Sequence, residues 1–365
     1  MTTGLPPIRV DGRLDRVRAA TADAGADALV ITDLTNVRWC TGFTGSFGVL
    51  VVTPGAATLI TDSRYATQAP AQIADSGAPV EVQVSADVVG DGAVRLRGLG
   101  RVALEADDIS WAAQQRWEAV LEGDLVATQS MITELRSVKD AAELARMQRA
   151  AEIVDEVLAE VAPLLVPGTT ERRLADALDD GMRARGASGP AYETIVAGGP
   201  NAALPHARPG DRVFVDGDLV VIDAGSVVDG YRSDMTRTFV VGTPDETAIA
   251  IHDLVTRAQA AGVAAVRPGI EVGEIDRVCR SLITEEGYGP EFGHGTGHGV
   301  GLDIHELPSV RAGNTAILQP GQVITVEPGI YLPGIGGVRV EDMVVVTDDG
   351  CRPLTRSPKI SLTSR

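Results

Sequence analysis

Along the first third of the chain, apolar residues fall in short blocks separated by turn residues. Residues 13–26 carry apolar positions at helical spacing, and 27–32 (DALVIT) read as a short buried strand. Two more strands are predicted at 47–53 and 57–61, divided by the turn signal Pro54-Gly55. A helix is expected from about Tyr65, a strand at 102–105, and then a helix carrying Trp111 and Trp117. This alternation predicts an α/β domain over residues 1–130, followed by a connector at 131–138 that includes most of ITELRSVKD.

From Lys139 the period becomes helical, with Leu144, Met147, Ala150, Ala151, Val154 and Val157 on one face. Pro167-Gly168-Thr169-Thr170 ends that stretch, and a second helix is expected at 171–185. Strand-like segments follow at 194–197, 219–224 and 236–241, then again at 322–326 and 338–346, with helices over 245–266 and 272–286 between the two sets. Two helices then strands, twice over, predict an α+β domain over residues 139–365 built from two similar halves.

Composition adds limits. A chain of 365 residues exceeds what one core usually serves. Its longest apolar runs are strand-sized, far short of the roughly 20 residues a bilayer requires, so no membrane segment is expected. The N-terminus lacks a basic patch followed by an apolar stretch, and cytoplasmic residence is the expectation. Cys40, Cys279 and Cys351 are sparse and odd in number, which fits free thiols in a reducing compartment. With 50 acidic against 32 basic residues the formal charge is −18, a sign that repels nucleic acid and anionic membranes.

Part of that acidity has chemical promise. The buried-looking run Val220-Val221-Ile222 leads straight into Asp223, and Asp234 precedes another strand, so a hairpin would set the two carboxylates side by side. Glu327 follows the strand 323–326, and Glu341 sits within VRVEDMVVV. A glutamate among apolar residues is costly unless it is paired or bound to metal; Arg339 and Asp342 are its neighbours in sequence. Three of the five histidines, His294, His298 and His305, cluster in the glycine-rich segment GHGTGHGVGLDIHELP. Four carboxylates with imidazole and no thiolate suit Mn²⁺, Co²⁺ or Zn²⁺. They carry enough charge for two divalent ions, an arrangement suited to hydrolysis.

The ordered motifs VVIDAG, YRSDMTRT, HGTGHGVGLDIHE, TVEPGIY and GVRVEDMVVV resemble those of the pita-bread metallopeptidases. NVRWCTGFTGS, LITDSRY and ITELRSVKD are similar to the smaller N-terminal domain of the proline-directed branch of that family. The resemblance implies that a pita-bread catalytic domain follows the α/β domain. It implies metal ligation by Asp223, Asp234, His298, Glu327 and Glu341, with Asp234 and Glu341 bridging two ions. It further implies that Glu327 accepts a proton from the attacking water and that His305 contacts substrate near the scissile bond. His206 would line the pocket on the proline side, His294 would shape it, and Arg339 would organise the carboxylates. His252 matches no motif and is expected to be structural.

The activity so implied is hydrolysis of the Xaa-Pro bond, releasing the N-terminal residue from peptides with proline second (aminopeptidase P). The alternative is the Xaa-Pro dipeptidase, prolidase; a non-catalytic binding protein on the same fold is a remote third reading. Two divalent ions per subunit, Mn²⁺ foremost with Co²⁺ or Zn²⁺ possible, and a homodimer also follow from the resemblance.

Overall fold

The computed structural model describes residues 4–362, so the outer limits 1 and 365 of the expected domains lie outside the described residues. The chain divides into two compact units: Pro6–Arg136, and the chain from Ser137 onward together with Leu5.

The first unit contains α1 (Arg13–Asp23), β1 (Ala28–Ile31), α2 (Leu34–Thr41), β2 (Val49–Val52), β3 (Ala57–Thr61) and α3 (Gln68–Ser76). It continues with β4 (Glu81–Val84), α4 (Val88–Arg95), β5 (Arg101–Glu105), α5 (Trp111–Glu118), β6 (Asp124–Thr128) and α6 (Met131–Ser137). Its six strands lie in the order β4-β3-β2-β1-β5-β6. The β1–β2 and β2–β3 pairs are antiparallel and the other three are parallel. Trp117 is buried, with Val30, Val51 and Leu104 in the same core. A Cβ at Gly92 would stand 2.4 Å from the Trp117 ring, so that glycine lets α4 approach it. Where a connector was expected, α6 begins at Met131.

Four elements of this unit went unread. The outer strands β4 and β6 bury little of their surface, so their apolar pattern is weak. Helix α4 carries Gly90 and Gly92, which lower helix propensity. Helix α2 is short, and its N-terminal cap is the Asp33 side chain, which accepts from the Asn36 amide.

Glu105 supplies a pH test of this unit. Burial pushes its carboxyl up to about 7, against the downward pull of N–H donors from Asp33, Thr32 and Asn36. Because the folded pKa exceeds the ordinary value of 4.5, folding takes up a proton. Stability present below 4.5 is therefore lost as pH rises through about 7. Each pKa unit corresponds to about 1.4 kcal/mol. The drop in unfolding midpoint between pH 5 and pH 8 is expected to be smaller in Glu105→Gln than in the wild type; an equal drop would assign the pH dependence elsewhere.

The second unit opens with α7 (Ala141–Val161), α8 (Glu171–Ala184), β7 (Ile195–Gly198) and β8 (Leu219–Asp223). Next come β9 (Val227–Val228), β10 (Tyr231–Arg232), β11 (Thr236–Val240), α9 (Glu246–Ala265) and α10 (Val272–Glu285). It closes with β12 (Gly297–Gly299), β13 (Glu306–Val310), β14 (Val323–Val326), β15 (Gly329–Leu332), β16 (Gly336–Arg339), β17 (Asp342–Val346) and β18 (Cys351–Pro353). Helix α7 starts at a capping box between Asp140 and Glu143. The apolar faces of α7 and α8 share one core with β8, including Val154, Val157, Leu178 and Ile222. Those of α9 and α10 share another with β14 and β17, including Val255, Ile275, Ile324 and Val344. The helix pairs thus back a three-stranded sheet, β11-β8-β7, and a five-stranded one, β13-β12-β14-β17-β18. This is the pita-bread arrangement.

One reading needs correction. Residues 338–346 do not form a single strand; Val340 and Glu341 separate β16 from β17, which belong to different sheets. The cause lies in Glu341, whose backbone N–H leaves both ladders and donates to the Thr236 carbonyl at 3.1 Å. Among the described residues, no helix is long and apolar enough to cross a membrane.

Candidate metal centre

Antiparallel pairing of β8 with β11 sets Asp223 opposite Thr236. Between these strands the chain makes the small hairpin β9–β10, which turns at Asp229 (φ 45°) and Gly230 (φ 80°). An Asp-Gly pair with both φ angles positive is the favoured two-residue hairpin turn. The excursion returns Asp234 to the end of β11, beside Asp223, and the Tyr192 hydroxyl bonds to Oδ1 of both, at 2.6 Å for Asp234. A hydroxyl has one proton, so these two acceptors share it.

The other half contributes from β12, β14 and the β16–β17 junction. His298 is the middle residue of β12, flanked by Gly297 and Gly299. A Cβ on Gly297 would lie 2.1 Å from the Thr325 carbonyl, and one on Gly299 2.2 Å from that of Leu307. No other residue lets the backbone run so close on both sides of the histidine. The Glu327 amide donates to the Thr296 carbonyl at 2.7 Å, which fixes the glutamate just past β14. The Glu341 Oε2 accepts from Thr236 Oγ1 at 2.7 Å.

Asp234, His298 and Glu341 each offer a ligand atom within 4.8 Å of the others. His298 Nε2 lies 3.3 Å from Glu327 Oε1 and 3.5 Å from Asp234 Oδ2. Asp223 is tied to this group through its bond to Tyr192 and to Arg339, whose Nη2 donates to Asp223 Oδ2 at 2.6 Å. The five residues expected to hold metal are therefore gathered in one place.

The electrostatics of the group favour whatever neutralises its carboxylates, protons or cations. Burial raises the Glu341 carboxyl well above its usual range, and the Asp234, Glu327 and Asp223 charges push it further. Burial likewise lifts Asp234 to about 8, with Asp223 adding to the rise. Burial alone would lower His298, but the Glu327 and Asp234 carboxylates outweigh it and raise the imidazole to about 9. The Glu327 carboxyl is opposed by burial yet held low by His298 and Arg339. Were all four carboxylates ionised, Arg339 and a protonated His298 would leave two negative charges unbalanced, so the group holds either protons or cations.

Two further details test whether divalent metal fits these residues. Glu341 Oε1 is buried and has no hydrogen-bond partner, an arrangement that is costly for an acceptor aimed at nothing. His298 Nδ1 lies 3.0 Å from the Gly299 carbonyl, which can only accept. In the neutral imidazole the proton therefore sits on Nδ1, which leaves the Nε2 lone pair for a cation that would replace the second proton. Lone pairs converging on one volume, from oxygen and nitrogen donors without sulfur, fit hard or borderline divalent cations. The residues present suit the group.

The remaining expected residues sort clearly. Arg339 is buried; besides Asp223 it donates to Thr236 Oγ1 at 3.0 Å, Tyr331 Oη at 3.0 Å and the Pro205 carbonyl at 3.2 Å. His294 Nδ1 bonds to the Gly295 carbonyl and Nε2 to Tyr331 Oη. Its N–H is thus on Nδ1, and Tyr331 donates to it. The His305 ring meets the His298 ring edge-on, with centroids 4.4 Å apart. His305 and His206 are exposed; burial lowers the His305 imidazole, and the His298 and His206 charges lower it further. His252 is buried in α9, with Nε2 3.3 Å from the Thr238 carbonyl. Neither Arg339 nor Asp342 pairs with Glu341: Asp342 turns to Arg237 at 2.8 Å and to Lys359.

Tyr192, Thr236, Thr325 and Tyr331 were missed as site residues. Thr325 Oγ1 accepts from the His298 amide and donates to Glu327 Oε1, both at 3.0 Å; Thr325 and Tyr331 stand inside the motif TVEPGIY and Thr236 inside YRSDMTRT, so their positions were available. Tyr192 precedes β7 with no polar pattern to mark it.

The fold and this cluster define a dinuclear metallohydrolase of the pita-bread type. The sequence model of metallopeptidase family M24 matches residues 145–348, more than half the chain, and that of the Creatinase/Prolidase N-terminal domain matches 13–138. The chain belongs to metallopeptidase family M24. It is 39% identical to an uncharacterized peptidase, YqhT, of Bacillus subtilis, over 95% of this chain and 98% of that one. Its structure is similar to the Xaa-Pro dipeptidase from Bacillus anthracis, with TM-score 0.93 at 35% identity, covering 96% and 99% of the two chains. It is also similar to the X-Pro aminopeptidase from Thermotoga maritima MSB8, with TM-score 0.85 at 34% identity, covering 95% and 98%.

Proposed function

We propose that this protein hydrolyses the peptide bond on the amino side of proline. The observation that carries the reading is the convergence of four carboxylates and His298 on one volume, with Glu341 Oε1 left unpartnered. Asp223, Asp234, His298, Glu327 and Glu341 would hold two divalent ions. When bound, such ions lower the pKa of water and polarise the scissile carbonyl.

The chain's own groups supply the rest. Glu327 Oε1 takes the proton from the attacking water and returns it to the departing proline nitrogen. Arg339 holds the Asp223 carboxylate through a charge-assisted bond. His305 and His206 stand at the exposed side, where a peptide enters, and orient the bond and the proline ring. His294, its Nε2 engaged by Tyr331, closes the pocket beside them. Proline brings a tertiary amide and a rigid ring, so a site that asks for no N–H at that position accepts it.

Two length preferences both have support. Similarity to an Xaa-Pro dipeptidase supports the Xaa-Pro dipeptide as substrate, and similarity to an X-Pro aminopeptidase supports a longer peptide with proline second. Turnover of Gly-Pro against Gly-Pro-Ala and Gly-Ala tests the reading. Cleavage of either proline peptide with Gly-Ala left intact is expected, and the ratio of the first two assigns the length class. Equal cleavage of Gly-Ala would sink the proline preference. Manganese as the native ion, a homodimer in solution and a cytoplasmic location complete the proposal, the first checked by elemental analysis and the second by light scattering.

A further inference from the structure

A buried ion pair lies behind the histidines. Lys139 Nζ stands 3.0 Å from Glu306 Oε2, and both side chains are only 1% exposed. Taking two charges out of water is expensive, and an apolar pair of similar volume often does as well for stability. The pair therefore calls for a reason beyond stability, and its surroundings supply one.

Glu306 is the first residue of β13 and follows His305 directly. It pairs in register with Gly299, which follows His298 directly. One backbone pairing thus aligns both imidazoles. The Glu306 side chain also braces the loop that carries His305. Its Oε1 accepts from the Asp303 amide at 3.1 Å, and Gly301 donates to the Asp303 carbonyl at 3.0 Å. A Cβ on Gly301 would lie 2.5 Å from Glu306 Oε2, so the carboxylate packs directly on that backbone. On the other side of the loop, Arg232 donates its amide to the Gly301 carbonyl and its Nε to the Leu302 carbonyl. Lys139 is itself anchored: its amide donates to the Gly321 carbonyl at 3.0 Å, and Val138 bridges Gln322 next to β14. The cation is fixed to the sheet that carries Glu327, and the anion is fixed to the loop that carries His305.

We propose that Lys139 is a positioning residue for the peptidase reaction, acting through Glu306 to hold the exposed imidazole of His305 beside His298. The inference rests on the substrate-contacting role given to His305 above. Removing the cation takes the charge partner from Glu306 and loosens the carboxylate that braces the loop from 301 to 305. The backbone pairing Gly299–Glu306 keeps β12 in place, so the effect falls on His305 rather than on His298.

A double-mutant cycle between Lys139 and His305 tests this, using metal-loaded enzyme and a proline peptide. Lys139→Met is expected to lower kcat/KM about ten- to a hundredfold, the range found when outer partners of a site are removed. In the His305→Gln background the same change is expected to cost less than twofold. Losses that multiply would assign Lys139 a merely structural role and overturn the proposal. A second arm reads His305 without turnover, by the ¹³Cε1–¹H signals of labelled histidines. The His305 signal is expected to shift or broaden in Lys139→Met while that of buried His252 stays; an unmoved His305 signal also overturns it.

Should Lys139→Met fail to fold, Lys139→Met/Glu306→Gln leaves no orphan charge and keeps an acceptor for Asp303. It is expected to fold and to give the same two results, and an unmoved His305 in it counts against the proposal equally. Absence of turnover by the wild-type enzyme would refute the proposed function and leave the spectroscopic arm able to decide this one.

Discussion

Glu341→Gln is expected to abolish hydrolysis while leaving the metal-free protein at least as stable as the wild type. Burial and three neighbouring carboxylates raise the Glu341 carboxyl well above its usual range, so without a cation it is protonated near neutrality. Glutamine has the shape of that protonated form. Its carbonyl oxygen can still accept from Thr236 Oγ1, which is the one hydrogen bond that Glu341 Oε2 makes to this threonine. What the variant loses is the anion. The wild type is expected to gain stability on adding Mn²⁺. At a hundredfold excess over the dissociation constant the gain is about 2.7 kcal/mol, worth roughly 5–10 °C in Tm for a domain of this size. Chelation should reverse that gain together with activity. Glu341→Gln should show little of the rise. Lewis-acid stabilisation is worth several kcal/mol, so its kcat should fall by about three orders of magnitude. A variant that keeps both the metal-induced rise and its turnover would remove Glu341 from the centre.

Arg339→Met is expected to damage fold and site together, and Arg339→Lys to rescue little. The guanidinium is buried and spans four partners: Asp223, Thr236, Tyr331 and the Pro205 carbonyl. These partners come from β8, β11, β15 and the loop preceding His206. Deleting one member of a buried ion pair leaves the other charge uncompensated and costs about 3–5 kcal/mol. Lysine restores a charge but not a planar fork, so it reaches Asp223 or Tyr331 and not both. Chemical denaturation of the metal-free variants should show the loss, with the lysine variant nearer to methionine than to wild type. Metal titration should show weaker binding in both, because Asp223 Oδ2 loses its Arg339 donor and Tyr192 alone holds the carboxylate. A lysine variant with wild-type midpoint and affinity would reduce Arg339 to a simple point charge.

Local pattern carried much of this protein. The helices 141–161, 171–184, 246–265 and 272–285 fall within a few residues of the apolar periodicity that predicts them, because each is long and buries one face. Strands β7, β8 and β14 were legible as apolar runs because they are buried along their length. The edge strands β4 and β6 and the glycine-bearing α4 were not, since they have little buried surface or weak propensity to announce them.

The types of the ligating side chains were also written in the chain, as were the glycines that let His298 come close. Their convergence was not. Asp223 and Glu341 are 118 positions apart in number (341 − 223), and no local pattern states that Thr236 bonds to one strand and to Glu341 at once. Residue spacing predicted Glu341 inside a strand, whereas the pull of the Thr236 carbonyl on its amide breaks that strand in two. Tyr192, the Arg339 bridge and the Lys139–Glu306 pair belong to the same class. Each joins residues far apart in sequence through bonds that exist only once the two sheets have closed. Sequence determined which elements form and which donors they carry, because periodicity and residue chemistry are local. Tertiary structure decided which donors meet, because hydrogen bonds and charge pairing depend on distances across the fold.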